Sequence, residues 1–376
     1  IRGELETHGK PLDSDALLLA GRSLSGDKNW SYFIEQCSFD LSATIQGVRC
    51  RINVMKTNSG VGLAIRLLSS FQPTIKKLNL HPDLKDIAHR SHGLVLISGP
   101  TGSGKSSTLA ALIQEINHSQ SKHIITIENP IEYHFKALKS FIRQREVGRD
   151  TPSFSQGLMD ALREDPDVLM IGEMREPDIM KQTLNAAETG HMVLSTVHSG
   201  SVVEALQRVV SNFPAEVQNG ICAQLADCLL AVVCQRLIFR PDLNIRVPEC
   251  EILFANMTVK SIVRSGKLFK LNDVLQTGAL DHMWSFQRYK EWLENYTDWY
   301  IRSDRPNRQP GDDLTNPDHT PLTRDYLSSR QVPLDSPASS VTRKSAYIKK
   351  DVPEKDGPYR IDDVDNLDDI LRELDK

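Results

Sequence analysis

The chain has 376 residues, of which 39% are apolar and 25% charged, enough for two or three domains. A formal net charge of −4 and a pI near 6.3 argue against a general binder of duplex DNA or other polyanions, and no run approaches the 18 apolar residues of a membrane span. Six cysteines in this length do not make a disulfide scaffold, and Cys222, Cys228 and Cys234 recur at steps of six, which is not zinc-ligand spacing, so buried reduced thiols in a reducing cytoplasm are expected.

In chain order, Ile1-Arg2-Gly3-Glu4-Leu5 reads as a strand already in progress, so further sequence is expected before it. Residues 39–68 alternate as strands do: Phe39–Ile45, Val48–Met55 and Val61–Leu68, with turn chemistry at Thr57-Asn58-Ser59-Gly60. They predict a small α+β domain over 1–70, followed by a linker over 71–92. From residue 93 short apolar runs alternate with helical stretches: Leu94–Ser98, His123–Glu128, Asp167–Gly172 and Met192–Val197. That alternation means βαβ units and a mostly parallel sheet, an α/β domain over 93–300. A helix over Gln218–Leu230, strands at Ala231–Phe239 and Val247–Phe254, and a helical, aromatic-rich stretch over Trp284–Tyr300 complete it. The remaining stretch, 301–376, is a polar tail. From Arg302 to Lys376 only 19 of 75 residues are apolar, and eight of the nineteen prolines lie there, so it is expected to be largely disordered. At its end Ile361, Val364, Leu367, Ile370, Leu371 and Leu374 have helical spacing, the pattern of an amphipathic helix that docks on a partner or neighbouring subunit.

The strongest motif is Gly99-Pro100-Thr101-Gly102-Ser103-Gly104-Lys105-Ser106, which meets G-x-x-x-x-G-K-[ST] at every fixed position. A buried strand precedes it and a helix, Ser107–Ile116, follows. Gly102 and Gly104 let backbone amides surround phosphates, and the helix N-terminus adds partial positive charge. Lys105 should reach the β- and γ-phosphates of a nucleotide, with Ser106 on Mg2+.

Ligands of open parallel sheets lie beyond the carboxyl ends of the strands. There the chain offers Glu132, after the strand that ends at Glu128; Glu173, after Asp167–Gly172; and His198, after Met192–Val197. Glu173 suits a Mg2+ or water-facing role, and Glu132 could orient or activate water. His191 and His198 lie seven residues apart on one strand, roughly 23 Å at about 3.3 Å per residue, so only one can approach a γ-phosphate. His198 is at the ligand edge, and His191 is left to packing or a subunit interface. In the small domain, a two-residue turn at Asn58-Ser59 sets Arg51 opposite Arg66. Directly opposed like charges are destabilising, and an anion such as nucleotide phosphate between them would remove the cost.

With these residues in place the chain resembles the type IV pilus retraction motor ATPases (PilT-like), within the type II/IV secretion ATPases. The likeness covers about residues 1–280 and rests on Gly93–Ser107, Ile124–Glu132, Gln144-Arg145-Glu146-Val147-Gly148, Leu162–Asp167 through Gly172-Glu173-Met174-Arg175, and Ala187–His191 through Thr196-Val197-His198. It implies a RecA-like P-loop ATPase domain, a smaller PAS-like α+β N-terminal domain and a homo-hexamer. It also implies ATP and Mg2+, and a cytoplasmic site of action, peripheral at the inner membrane, on a pilus or secretion platform protein, with no stable nucleic-acid partner. On that pattern Gly99, Thr101, Gly102, Ser103, Gly104, Lys105, Ser106 and Ser107 form the Walker A loop. Glu173 is the Walker B acid and shares Mg2+ with Ser106, Glu132 is the catalytic glutamate, His198 belongs to the His box, and Arg51 and Arg66 reach toward nucleotide.

Three stretches depart from the pattern. Asn129 replaces the Asp of Glu-Asp-Pro-Ile-Glu, removing one carboxylate. Thr258–Ser265 replaces an Ala-Ile-Arg-Asn-Leu-Ile-Arg-Glu-type segment of the retraction motors, and the tail differs from the family's ending. The four-cysteine zinc module of the pilus-extension and type II secretion branch is not encoded. The expected function is ATP-driven pilus retraction, as in twitching motility. The alternatives are a motor of conjugation or type IV secretion, and a regulatory or scaffold subunit that binds ATP but hydrolyses it weakly.

Overall fold

The computed structural model describes residues 12–46, 48–68 and 71–301. The opening strand at 1–5, the disorder expected of 302–376 and the amphipathic helix at 361–374 lie outside the described residues. The chain divides into two units, with described parts 12–67 and 68–301.

In the smaller unit, helix α1 (Ser14–Gln36) accompanies the antiparallel strands β1 (Ser38–Ile45), β2 (Val48–Thr57) and β3 (Gly60–Leu67), in the order β1-β2-β3. In β2 Cys50, Ile52 and Val54 are buried with Leu24, Phe33, Leu41 and Val61, while the alternate residues Arg51 and Asn53 point to the other face. The sequence pattern did not single out α1. Its Ala16-Leu17-Leu18-Leu19-Ala20 run is continuous rather than periodic, and the helix breaks at Gly26, whose φ is 70°.

The hairpin register is as the turn demands: Thr57 pairs with Gly60 and Arg51 with Arg66. Arg51 also lies 3.7 Å from Asp40 on β1, an acidic group beside the opposed pair.

The larger unit is built on seven strands in the order β10-β9-β4-β8-β7-β5-β6. Its elements run α2 (Lys85–Ala88), β4 (Gly93–Ser98), α3 (Lys105–Ser119), β5 (His123–Glu128), β6 (Phe141–Glu146), α4 (Phe154–Ala161), β7 (Val168–Ile171), α5 (Pro177–Glu188), β8 (Met192–Val197), α6 (Val202–Ser211), α7 (Ala215–Cys228), β9 (Leu229–Arg240), β10 (Ile245–Phe254), α8 (Met257–Arg264), α9 (Leu271–Thr277) and α10 (Phe286–Asn295). All pairings are parallel except β9 with β10.

Period-2 alternation sends the strand side chains to two apolar layers. Leu94, Leu96, Leu169, Ile171, Val193 and Val197 pack with α4 to α9, whereas Val95, Ile97, Val168, Met170, Met192 and Leu194 pack with α2, α3 and α10. Leu94 to Ile97 are fully buried, and each such side chain contributes about 1.5–3 kcal/mol.

Three readings are adjusted. The edge strand β6 was not expected. The helix after the phosphate loop begins at Lys105 rather than Ser107. The helix expected over Trp284–Tyr300 is shorter: Trp284 instead bridges to Ile252 through paired backbone hydrogen bonds of 2.7 and 2.8 Å, Ser285 caps α10, and α10 ends at Asn295. Cys222, Cys228 and Cys234 are buried thiols, as are Cys50 and Cys250, but Cys37 is exposed.

Candidate functional site

The loop 99–104 leaves β4 at its carboxyl end and enters α3. Gly99 takes φ 146° and is buried against β9; a Cβ there would stand 2.3 Å from Gln235 O and 2.5 Å from Ser103 Oγ. Gly104 occupies the left-handed region at the helix N-cap, which only glycine adopts without cost. Gln235, buried in β9, clamps the loop from below. Its Nε2 donates to Ser103 O (2.6 Å), and its Oε1 accepts from Thr108 Oγ1 (2.8 Å). Thr101, Gly102 and Ser106 are exposed, Ser103 and Lys105 are buried, and Ser107 is half-buried. Ser107 Oγ and the Tyr133 hydroxyl are 2.7 Å apart.

Lys105 Nζ donates to Gly99 O (2.9 Å) and Pro100 O (3.0 Å), and lies 3.4 Å from His198 Nδ1. Burial pushes its pKa below the usual lysine value, while the negative charges of Glu173 and Glu132 oppose that shift. His198 Nε2 in turn faces Glu173 Oε2 at 3.8 Å. Burial and the Lys105 charge hold His198 below its ordinary pKa, so at neutral pH it is an uncharged ring able to accept from Lys105.

The Glu173 turn is pinned by β8. Thr196 Oγ1 donates to Gly172 O (2.7 Å), and Met174 N donates to Thr196 O (3.0 Å). Arg175 Nε pairs with Glu173 Oε2 at 2.9 Å, and Arg208 Nη1 donates to His198 O (2.8 Å). The strand order thus gathers Lys105, Glu173 and His198, with Glu132 acting electrostatically on the same ammonium. His191 sits at the opposite end of β8, where its Nδ1 is 3.0 Å from Ala186 O. Arg51 and Arg66 belong to the smaller unit.

The residues fit a magnesium nucleotide. Ser103 Oγ is buried without a hydrogen-bond partner, and the Lys105 ammonium lies among loop carbonyls at a helix N-terminus. Mg2+ is usually held by one or two protein groups plus phosphate oxygens and water, and Ser106 with Glu173 supply a hydroxyl and a carboxylate.

Sequence reasoning assigned no role to Gln235, Glu128, Gln144 or Glu146, although the last three stand in stretches that carry the resemblance. The signal for Gln235 was present: it is a polar residue ending the apolar run Leu229–Cys234. Glu128 is buried at the end of β5, where its Oε1 accepts from Thr126 Oγ1 (2.6 Å) and Gln144 Nε2 (3.1 Å).

Residues 36–267 match the type II/IV secretion system protein family. The chain belongs to that family. It is 40% identical over 262 residues to the twitching motility protein of Neisseria gonorrhoeae, covering 69% of this chain and 70% of the relative. Identity to the type IV pilus retraction ATPase PilT of Pseudomonas aeruginosa is 39% over 257 residues, covering 68% and 74% of the two chains. Among solved structures, the pilus retraction motor PilT with bound ADP is similar at a TM-score of 0.67 and 38% identity, over 73% of this chain and 78% of that one. Both have the α/β fold with a largely parallel sheet.

Proposed function

We propose that the protein is a P-loop ATPase that powers type IV pilus retraction, acting as a homo-hexamer on an inner-membrane platform protein. In this reading the larger unit is the RecA-like ATPase domain and the smaller one the PAS-like domain. The observation that carries it is the convergence of Lys105, Glu173 and His198 at the phosphate loop. Likeness to the twitching motility protein and to PilT supports the pilus assignment. Among the described residues no helix is long and apolar enough to cross a membrane. Likeness to the pilus retraction ATPase supports peripheral attachment at the inner membrane, on the cytoplasmic side.

ATP binding would draw Lys105 from Gly99 O and Pro100 O onto the β- and γ-phosphates. Ser106 and Glu173 would hold Mg2+, which supplies neutralisation of phosphate charge. Glu132 would orient the attacking water and take its proton. His198, released by Lys105, would accept or donate near the γ-phosphate and report its presence to β8. Arg51 and Arg66 are proposed as cations directed at nucleotide phosphate.

The test uses the full chain. Lys105→Ala should lower steady-state ATP hydrolysis by about 100-fold or more, and Glu132→Gln should lower it comparably while ATP affinity stays within about threefold. Both variants should fail to restore retraction in cells that lack a retraction motor. Wild-type turnover in Lys105→Ala would overturn the nucleotide site, and restored retraction by both variants would overturn the motor role.

A further inference from the structure

The segment that carries Glu132 has no regular structure, yet side chains of one neighbouring strand fasten it on both sides. Glu146 Oε2, on β6, accepts from Ile131 N at 3.0 Å, and Glu146 is buried. Gln144, two residues earlier on the same face, holds the other side. Its Nε2 donates to Tyr133 O (2.7 Å) and its Oε1 accepts from Phe135 N (2.9 Å). The same amide nitrogen also reaches Glu128 Oε1 at 3.1 Å, tying the segment to the end of β5. Ile131 and Tyr133 are the immediate neighbours of Glu132, so the backbone carrying this carboxylate is gripped one residue before it and one residue after. Tyr133 is held a second time, through its hydroxyl, by Ser107 on the first turn of α3.

Glu146 has a further anchor that fixes its own place. Its backbone N donates to Asp150 Oδ2 (2.8 Å), and Arg149 binds both oxygens of Asp150 (3.0 and 2.9 Å). The Gln144-Arg145-Glu146 segment is thus tied at its end to Asp150, and its two inward side chains exchange four hydrogen bonds with Glu128 and the segment 131–135.

We propose that Gln144 and Glu146 are positioning residues for ATP hydrolysis, which hold the backbone around Glu132 so that its carboxylate meets the attacking water. This rests on the reading of Glu132 as the water-activating group. A displacement of about 1 Å at such a group can cost about 100-fold in rate. The hydrogen bonds given above for Gln144 and Glu146 end on Glu128 and the segment 131–135, so their loss should leave nucleotide affinity alone.

The experiment measures kcat, KM and ADP affinity in full-length protein for Glu146→Ala, Glu146→Gln and Gln144→Leu, alone and combined with Glu132→Gln. Glu146→Gln keeps a carbonyl oxygen for Ile131 N and should retain kcat within about threefold. Glu146→Ala and Gln144→Leu should lower kcat about 10- to 100-fold, with KM and ADP affinity within about threefold. In the Glu132→Gln background neither should lower kcat further, because the group they position is already lost. Equal losses with and without Glu132 would overturn the proposal, as would a matching loss of affinity or a Glu146→Gln variant as slow as Glu146→Ala. If Glu146→Ala does not fold, Glu146→Gln and Gln144→Leu still decide it by the same comparison. Unimpaired turnover in Glu132→Gln alone would instead overturn the role of Glu132, a result separate from the failure of its positioning.

Discussion

Glu128 shows how one carboxyl group can carry two demands. It is buried between β7 and β6 at the sheet's carboxyl edge, accepts two hydrogen bonds on one oxygen, and has Glu132 and Glu146 as acidic neighbours. Burial, aided by those neighbours, pushes its pKa from 4.5 up to about 7. The unfolded chain releases this proton near pH 4.5 and the folded chain keeps it to about pH 7. Folding stability from this group is therefore present at low pH and falls as pH rises through that window. Glu128→Gln removes the titration. Relative to the wild type it should be more stable at pH 8 than at pH 5, by on the order of 3 kcal/mol at most. Denaturant unfolding at both pH values measures this, and an equal difference at the two would contradict it. Lys105 was legible in the sequence because its motif is contiguous. Glu128 was not singled out, because a Glu at a strand end reads as an ordinary polar terminus.

The phosphate loop depends on an element far from it in sequence. Gly99 passes so close to β9 that a methyl group would meet the backbone carbonyl of Gln235, which cannot rotate away as a side chain could. Gly99→Ala should therefore lower the melting temperature by roughly 4–8 °C, the effect of about 2 kcal/mol in a unit of this size, and weaken ADP binding as the loop shifts. An unchanged melting temperature would show that β9 yields. Strand β6 marks the limit of pattern reading. Its outward residues Phe141 and Arg143 are exposed while Ile142, Gln144 and Glu146 turn inward, so apolar and polar residues stand on both faces and no alternation marks the strand. The inward polar groups are satisfied by Glu128 and the segment 131–135, which has no regular structure and so no period to read.

Across the whole chain the cysteines report on folding. Cys37 is exposed, while Cys50, Cys222, Cys228, Cys234 and Cys250 are buried. Burial pushes the Cys228 thiol up to about 12 and Cys234 to about 11, so neither offers thiolate near neutral pH. A thiol reagent should modify one cysteine rapidly in the native protein and all six in denaturant. Rapid native modification of more than one would show that the core opens on that timescale.

What the sequence determined by itself is local. The Gly99–Ser106 motif, the buried strands with their two faces, and the pairing of Arg51 with Arg66 follow from contiguous residues, period-2 alternation and the length of one turn. The tertiary structure decided what those parts meet. The order β10-β9-β4-β8-β7-β5-β6 sets β8, and with it His198, beside the phosphate loop and β7 next to it, brings Gln235 under the loop, and places Gln144 and Glu146 against the Glu132 segment. It also set Asp40 beside Arg51, a neighbour that hairpin arithmetic alone does not contain. Strand order arises from non-local burial of both sheet faces, and hydrogen bonds between residues tens of positions apart leave no periodic trace in the chain.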